Sequence, residues 1–275
     1  MTDTTMTWWT VLCAIAGLNL IAWTASTAWL HRQRPDGTTW PHQRMQLVLS
    51  ALYVLGCGYR SFLPVFDVPR VVMVDSWASS VIVGRTVATI AELSFAAQWA
   101  LLLRGGALAT GNRFSLWVAY AVVPLIAIAE VNSWYAVLTT RNIGHVIEET
   151  LWGTAAVLSV LAMLRLWPDV SARARRWLAV AIAAGAAYAA YMFFVDVPMY
   201  WARWLADEAA GRSYATLAAG IADASGRWTV SHDWAQWRSE VVWMTLYFSV
   251  AVWISIGLAH VKVPLRVPRT KRAIT

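Results

Sequence analysis

The chain has 275 residues, 59% of them hydrophobic and only 13% charged, with a net charge of +7 and a mean hydropathy of +0.51. That balance excludes an ordinary soluble domain and a disordered chain, and it points to a protein whose solvent is the bilayer. The positive excess is no nucleic-acid footprint, because the basic residues are scattered over separate short connections and not gathered on one face.

Seven apolar stretches are long enough for a hydrocarbon core of about 30 Å. They predict an all-α, polytopic, seven-transmembrane-helix bundle over 1–262 and a basic tail at 263–275. The first stretch, 8–30, follows MTDTTMTWW, which lacks a positive n-region, so it reads as a retained anchor. The second, 45–65, carries Arg60 near its end, and the third, 77–103, places Arg85, Thr89 and Glu92 on one helical face. Glu130 and Asn132 lie late in the fourth, 114–139. The fifth, 143–166, begins with His145, Glu148, Glu149 and Trp152 at spacings of three, four and seven. The sixth, 177–204, holds Met192, Asp196, Met199, Tyr200 and Arg203, with Pro198 just after the acid. A long connection, 205–236, shows Tyr214, Leu217, Ala218 and Ile221 at helical spacing and is expected to act as a lid that brings His232 to the bundle. The seventh stretch, 237–261, aligns Trp237, Glu240, Met244 and Tyr247.

Arginine and lysine fall in alternate connections. Arg32, Arg34 and Arg44, then Arg104 and Arg113, then Arg165, Arg173, Arg175 and Arg176, and the Lys and Arg of the tail all lie on one side of a seven-span chain. The positive-inside rule makes that side cytoplasmic and the N-terminus external. The preference for Arg over Lys suits a GC-rich genome, hence a multi-pass protein of a bacterial cytoplasmic membrane, with the lipid bilayer as its standing partner. Trp8, Trp9, Trp77, Trp134, Trp201, Trp204, Trp234 and Trp237 are expected to form much of the outer interfacial belt.

Glu92, Glu130, Glu148, Glu149, Asp196 and Glu240 all lie within these stretches. Each costs about 2.5–3.5 kcal/mol at a helix centre, so they must face protein and not lipid. With the N-terminus outside, they converge on the outer half of the bundle. Only Arg60 and Arg85 oppose them, with Arg203 near the surface. So unbalanced an interior is not tenable at low dielectric, and a bound cation or bound protons must complete it.

Two chemistries follow. Carboxylates and His on facing helices hold di-iron and di-manganese centres. Glu92, Glu130, His145, Glu148 and Glu149 are the corresponding metal-ligand candidates here, although His145-x-x-Glu148 runs in the reverse order of the usual pair. A zinc ion on His145 and His232 with carboxylates is the related form. Without a metal, Glu92, Glu130 and Asp196, assisted by Arg85, suit acid–base catalysis on a lipidic or other hydrophobic small molecule. Arg60, Asn132, Trp152, Tyr200, His232 and Glu240 are then the expected substrate contacts. The alternative is a proton- or cation-coupled transporter or a seven-helix sensor. FDVP at 66–69 and VDVP at 195–198 would make the first and last three spans parallel repeats. A scarcity of polar residues in the inner half argues against transport.

Other classes are excluded by what is missing. The last stretch has no Lys for a retinal Schiff base, and three of the five His (His31, His42 and His260) lie on the cytoplasmic side, which leaves no bis-His haem site. P-loop, dinucleotide and hydrolase motifs do not occur. Cys13 and Cys57 fit two buried thiols better than a disulfide.

Overall fold

A peptide group in hydrocarbon finds no water to bond, so apolar runs of this length must satisfy their own backbone as helices. The computed structural model describes residues 2–33 and 39–262 and is all-α, 83% helical. The tail expected at 263–275 lies outside the described residues. In chain order, α1 is Thr2–Gln33, α2 Trp40–Phe62, α3 Val81–Thr110, α4 Arg113–Thr139 and α5 Ile143–Leu166. Next, α6 (Ala172–Tyr191) runs through a π-helical turn at Met192–Asp196 into α7 (Val197–Ala209). Two short helices follow, α8 (Leu217–Gly226) and α9 (Trp234–Trp237). Finally α10 (Val241–Leu246) passes through a second π-helical turn, Tyr247–Ala251, into α11 (Val252–Leu258).

Among the described residues, six stretches are long and apolar enough to cross a bilayer: Thr4–Gln33, Val81–Thr110, Arg113–Thr139, Ile143–Asp169, Ala172–Ala209 and Val241–Leu258. Large apolar side chains such as Ile21, Val131, Trp177 and Phe194 are exposed on their outer faces. An exterior of that kind suits lipid and not water. The 23-residue α2 is about 34 Å long at 1.5 Å per residue, which is enough to span. It falls outside the six because Gln43, Gln46, Ser50 and Arg60 are polar, and all four are buried. Consecutive long helices pack side by side from α1 to α6, and α11 returns against α1, α2 and α3.

Local chemistry sets the joints. Gly111, at φ 73°, ends α3 in the left-handed region, and the Asn112 side chain caps α4 by accepting from the Ser115 N–H at 3.0 Å. Pro198 has no N–H to offer the Phe194 carbonyl, and the π-helical turn absorbs that mismatch just before it. In the second π-helical turn the Phe248 carbonyl accepts from Asn19 Nδ2 at 2.7 Å, so α1 supplies a bond that links it to this segment.

One end of the bundle carries a cap. The chain after α2 forms a hairpin, β1 (Val65–Phe66) antiparallel to β2 (Val71–Val72), and β3 (Thr229–Val230) joins β2 in parallel. The second expected span therefore stops at Phe62 and not at 65, because Val65–Phe66 pairs as strand. The same observation removes the internal repeat: FDVP lies in a hairpin, whereas VDVP crosses from a π-helical turn into α7. The expected seventh span is likewise broken, with Trp237 in α9 and Glu240 at the N-cap of α10, so the two do not share one helical phase. In the connection 205–236 the amphipathic element expected from the spacing is α8, which ends at Gly226. Trp8 and Trp237 are buried core residues with ring centroids 5.8 Å apart and not members of a belt, whereas Trp77 and Trp201 are exposed. Cys13 and Cys57 are both free thiols.

Arg70 holds the cap together. It is 1% exposed and stands at φ 60°, a conformation that a non-glycine residue keeps only when its surroundings fix it. Its guanidinium donates to Asp223 Oδ2 at 2.9 Å, to the Asp67 carbonyl at 2.8 Å and to the Val137 carbonyl at 2.8 Å, joining α8, the hairpin and the end of α4. Asp223 also accepts from Arg227 through Nε and, at 3.0 Å, Nη2. These bonds, Arg227's first and Arg70's after it, hold the Asp223 carboxyl below the usual carboxylate range against the opposing pull of partial burial. A depressed folded pKa stabilises above the unfolded value of about 3.9 and is lost as pH falls through the folded value. Amide-exchange protection over 217–230 is therefore expected to be flat from neutral pH to about 5 and to fall below about 4. Asp223→Asn should lose about 1.5–3 kcal/mol of that protection already at neutral pH.

Candidate carboxylate site

Arg85 lies one turn inside α3, and residues three to four positions apart along that helix, Arg85, Thr89 and Glu92, line its inward face. Arg85 Nη2 donates to Glu92 Oε2 and Glu130 Oε2, both at 2.8 Å, and lies 3.8 Å from Glu148 Oε1. Its Nη1 is 3.9 Å from Asp67 Oδ2 of the hairpin. Glu130 also accepts from Thr89 Oγ1 at 2.6 Å, and the Trp134 indole donates to that hydroxyl at 3.0 Å. One guanidinium is thus ringed by carboxylates from α3, α4, α5 and the β1–β2 turn.

The approach of α5 depends on Gly144. A Cβ there would meet the Asn132 carbonyl oxygen at 2.5 Å and the Ala136 nitrogen at 2.9 Å, so only glycine lets the first turn of α5 close on α4. That contact brings His145 and Glu148 to the network. His145 Nδ1 and Glu148 Oε2 are 2.7 Å apart, and with Glu148 ionised the hydrogen sits on Nδ1. The Tyr200 ring lies 4.7 Å from the imidazole. Arg60, near the end of α2, is 3.6 Å from Asp67 Oδ1 and donates to the Val65 carbonyl at 3.3 Å, with Trp243 6.0 Å from its charge.

Other residues expected at the site stand elsewhere. Glu149 points about 100° around α5 from Glu148, is half-buried, and with the buried Asp196 faces the α6–α7 side with no hydrogen bond from Arg85. Glu240 is buried in its own pair of bonds, from Ser239 Oγ at 2.8 Å and Trp243 Nε1 at 2.6 Å. Asn132 is about 200° around α4 from Glu130 and donates back to the Ile128 carbonyl at 2.8 Å, so it does not join the acids. His232 Nε2 lies 2.9 Å from the Met73 carbonyl, a contact that ties the connection after β3 to the segment after β2. Trp152 packs beside the apolar cluster of α3, α4 and α5. The pairing of Asp67 with Arg60 at the outer end of α2 agrees with the sequence, whereas its approach to Arg85 was not legible there, because FDVP lies in a turn folded back over the bundle.

The charges around Arg85 do not cancel. Asp67, Glu92, Glu130 and Glu148 face two permanently charged groups, Arg60 and Arg85, and a protonated His145 adds only one more. Glu149 and Asp196 extend the excess towards α6 and α7. Glu130 Oε1 and Arg85 Nε are buried with no hydrogen-bond partner among the described residues. At the capped end, a cleft of about 440 Å³ is lined by Phe66, Pro69, Arg203, Thr229 and Ser239. The oxygens of Glu92, Glu130 and Glu148 lie within 4.8 Å of one another, close enough for a common ion. No protein-family model matches the chain, and neither does any curated protein or solved structure.

Proposed function

We propose that this is an integral membrane enzyme whose Arg85-centred carboxylates exchange protons with a hydrophobic or lipidic small molecule in the outer half of a seven-helix bundle. The deficit of cations among buried carboxylates carries this reading: side chains that cannot all be ionised at low dielectric must share protons, and shared protons are what acid–base chemistry moves. Glu149, half-buried, and Asp196 flank the side of α5 that faces α6 and α7, and Tyr188 is exposed there, so a molecule arriving through the bilayer meets acids before it meets Arg85. The length of α2 and its packing between α1 and α3 support counting it as the seventh span. Arg44, Arg104, Arg113, Arg165 and Arg173 lie at the end opposite the cap, which supports an external N-terminus in a bacterial cytoplasmic membrane.

A second reading has a specific observation behind it. The Glu92, Glu130 and Glu148 oxygens are spaced for a divalent ion of iron, manganese or zinc. Arg85 opposes it, since its Nη2 already stands 2.8 Å from two of those carboxylates and an ion would have to displace that charge. Elemental analysis of purified protein together with its infrared spectrum decides between them. Protonated carboxyls without stoichiometric metal support proton exchange; stoichiometric metal lost in Glu148→Gln, with no protonated carboxyl, supports the ion.

A further inference from the structure

Among the described residues, the interior of the bundle half opposite the cap holds almost no charge, yet it is polar. Along α2, Gln43, Gln46, Ser50, Tyr53, Cys57 and Arg60 recur every three or four residues, so they form one face, and every one is buried. From Gln43 to Arg60 that face covers about 26 Å, nearly the thickness of the hydrocarbon core. Gln98 of α3 and Ser255 of α11 close over it. Gln46 Nε2 donates to the Gln98 carbonyl at 3.0 Å, and Gln98 Nε2 donates to the carbonyls of Gln46 and Ser255, both at 3.1 Å. The Ser255 hydroxyl bonds Gln98 Oε1 at 2.6 Å and Ser50 Oγ at 3.1 Å. One step towards the cap, the rings of Tyr53 and Tyr247 lie 5.6 Å apart, and Tyr53 stacks at 4.6 Å on Phe95, one helical turn from Glu92 on α3.

A row of this kind serving only as interhelical glue would have its polar atoms paired. Here, at the end away from the cap, several are not. Gln46 Oε1, both amide atoms of Gln43 and His42 Nε2 are buried with no hydrogen-bond partner among the described residues. They are the donors and acceptors that a file of internal waters requires.

We propose that this row is a proton route through the inner half of the protein, joining Glu92 to the cytoplasmic end and making the site's proton exchange transmembrane. It rests on the reading of the carboxylate site given above. A proton taken up on a lone pair of one hydroxyl or water is matched by release of that group's own proton to the next, so one proton leaves the far end for each that enters and no group changes its net charge. Tyr53, Tyr247, Ser50 and Ser255 supply hydroxyls, and the glutamine amides hold and orient the waters between them.

The test uses the full chain in liposomes containing a trapped pH-sensitive dye, with a potassium diffusion potential as the driving force. Wild type is expected to pass protons faster than protein-free liposomes. Gln46→Met and Gln98→Met, which keep the side-chain length and remove the polar ends, should slow the flux about tenfold or more, with thermal stability and the infrared carboxyl signal retained. Should both variants fail to fold, Ser50→Ala removes a single hydroxyl and decides by the same readout: slowed flux supports the route, unchanged flux overturns it. Wild-type flux no greater than that of empty liposomes, or unchanged flux in the Met variants, also overturns it. Absence of flux with the carboxyl signal present sinks the route alone, whereas absence of that signal in wild type sinks the reading of the site.

Discussion

Replacing Arg85 with Met is expected to destabilise the protein by about 3–5 kcal/mol, because one partner is removed from a buried ionic network and the others remain. Arg85 bonds Glu92 and Glu130 at 2.8 Å and lies 3.8 Å from Glu148. Without it those acids must take up protons or draw water into the bundle. Acid should therefore rescue the variant, and the gap to wild type should narrow as pH falls and the carboxyls neutralise. Glu130→Gln in the Arg85→Met background should recover part of the loss, since it removes a charge that Arg85 had balanced. Arg85→Lys should fall between, as an ammonium keeps the charge but has no second nitrogen to face Asp67 as Nη1 does. Unfolding in mixed detergent, followed by circular dichroism at several pH values, measures all four proteins. A loss below about 0.5 kcal/mol for Arg85→Met would mean that water already screens the network.

Trp237→Ala carries a comparable penalty for a different reason. Trp237 is the largest wholly buried side chain among the described residues. It fills the core shared by α1, α2, the hairpin and α10, beside Trp8, Leu12, Val71, Met73 and Met244. Its indole donates to the Ser231 carbonyl at 2.8 Å, which ties the strand of β3 to the bundle. Truncation to Ala removes packing worth about 3–5 kcal/mol in comparable cores. Trp237→Phe keeps most of the volume and forfeits the hydrogen bond, about 0.5–1.5 kcal/mol. Thermal unfolding and amide exchange over 227–240 should show the Ala variant loosening the cap first, with Glu240 gaining water. If the Phe variant matched Ala, the hydrogen bond and not the packing would be the dominant contribution.

Helix type and the inward faces of α3 and α5 were legible, because Arg85, Thr89 and Glu92, and His145 and Glu148, obey helical spacing and the cost of charge in lipid fixes the direction they face. Two further features could have been found by the same rule. Asn132 lies two residues from Glu130 and hence on the opposite side of α4, and the stripe from Gln43 to Arg60 on α2 is as regular as the acidic faces. That stripe also removes the objection that the inner half lacks polar residues. What no spacing rule reaches is the cap. Asp67 and Arg70 act through a hairpin of two-residue strands, and His232 finds its partner on a loop about 160 residues earlier in the chain. Those partnerships are set by tertiary packing, and the β-branched pairs that start it, Val65 with Val72 and Val71 with Thr229, are too short to stand out beside helices of 23 to 32 residues.

The most direct measurement is the infrared carboxyl region of the reconstituted protein at neutral pH, in water and in heavy water. A protonated-carboxyl band that shifts on deuteration, shrinks in Glu92→Gln, Glu130→Gln or Glu148→Gln and is untouched by Asp223→Asn is the expected result. A spectrum with every carboxyl ionised at neutral pH would contradict a site that works by holding and passing protons.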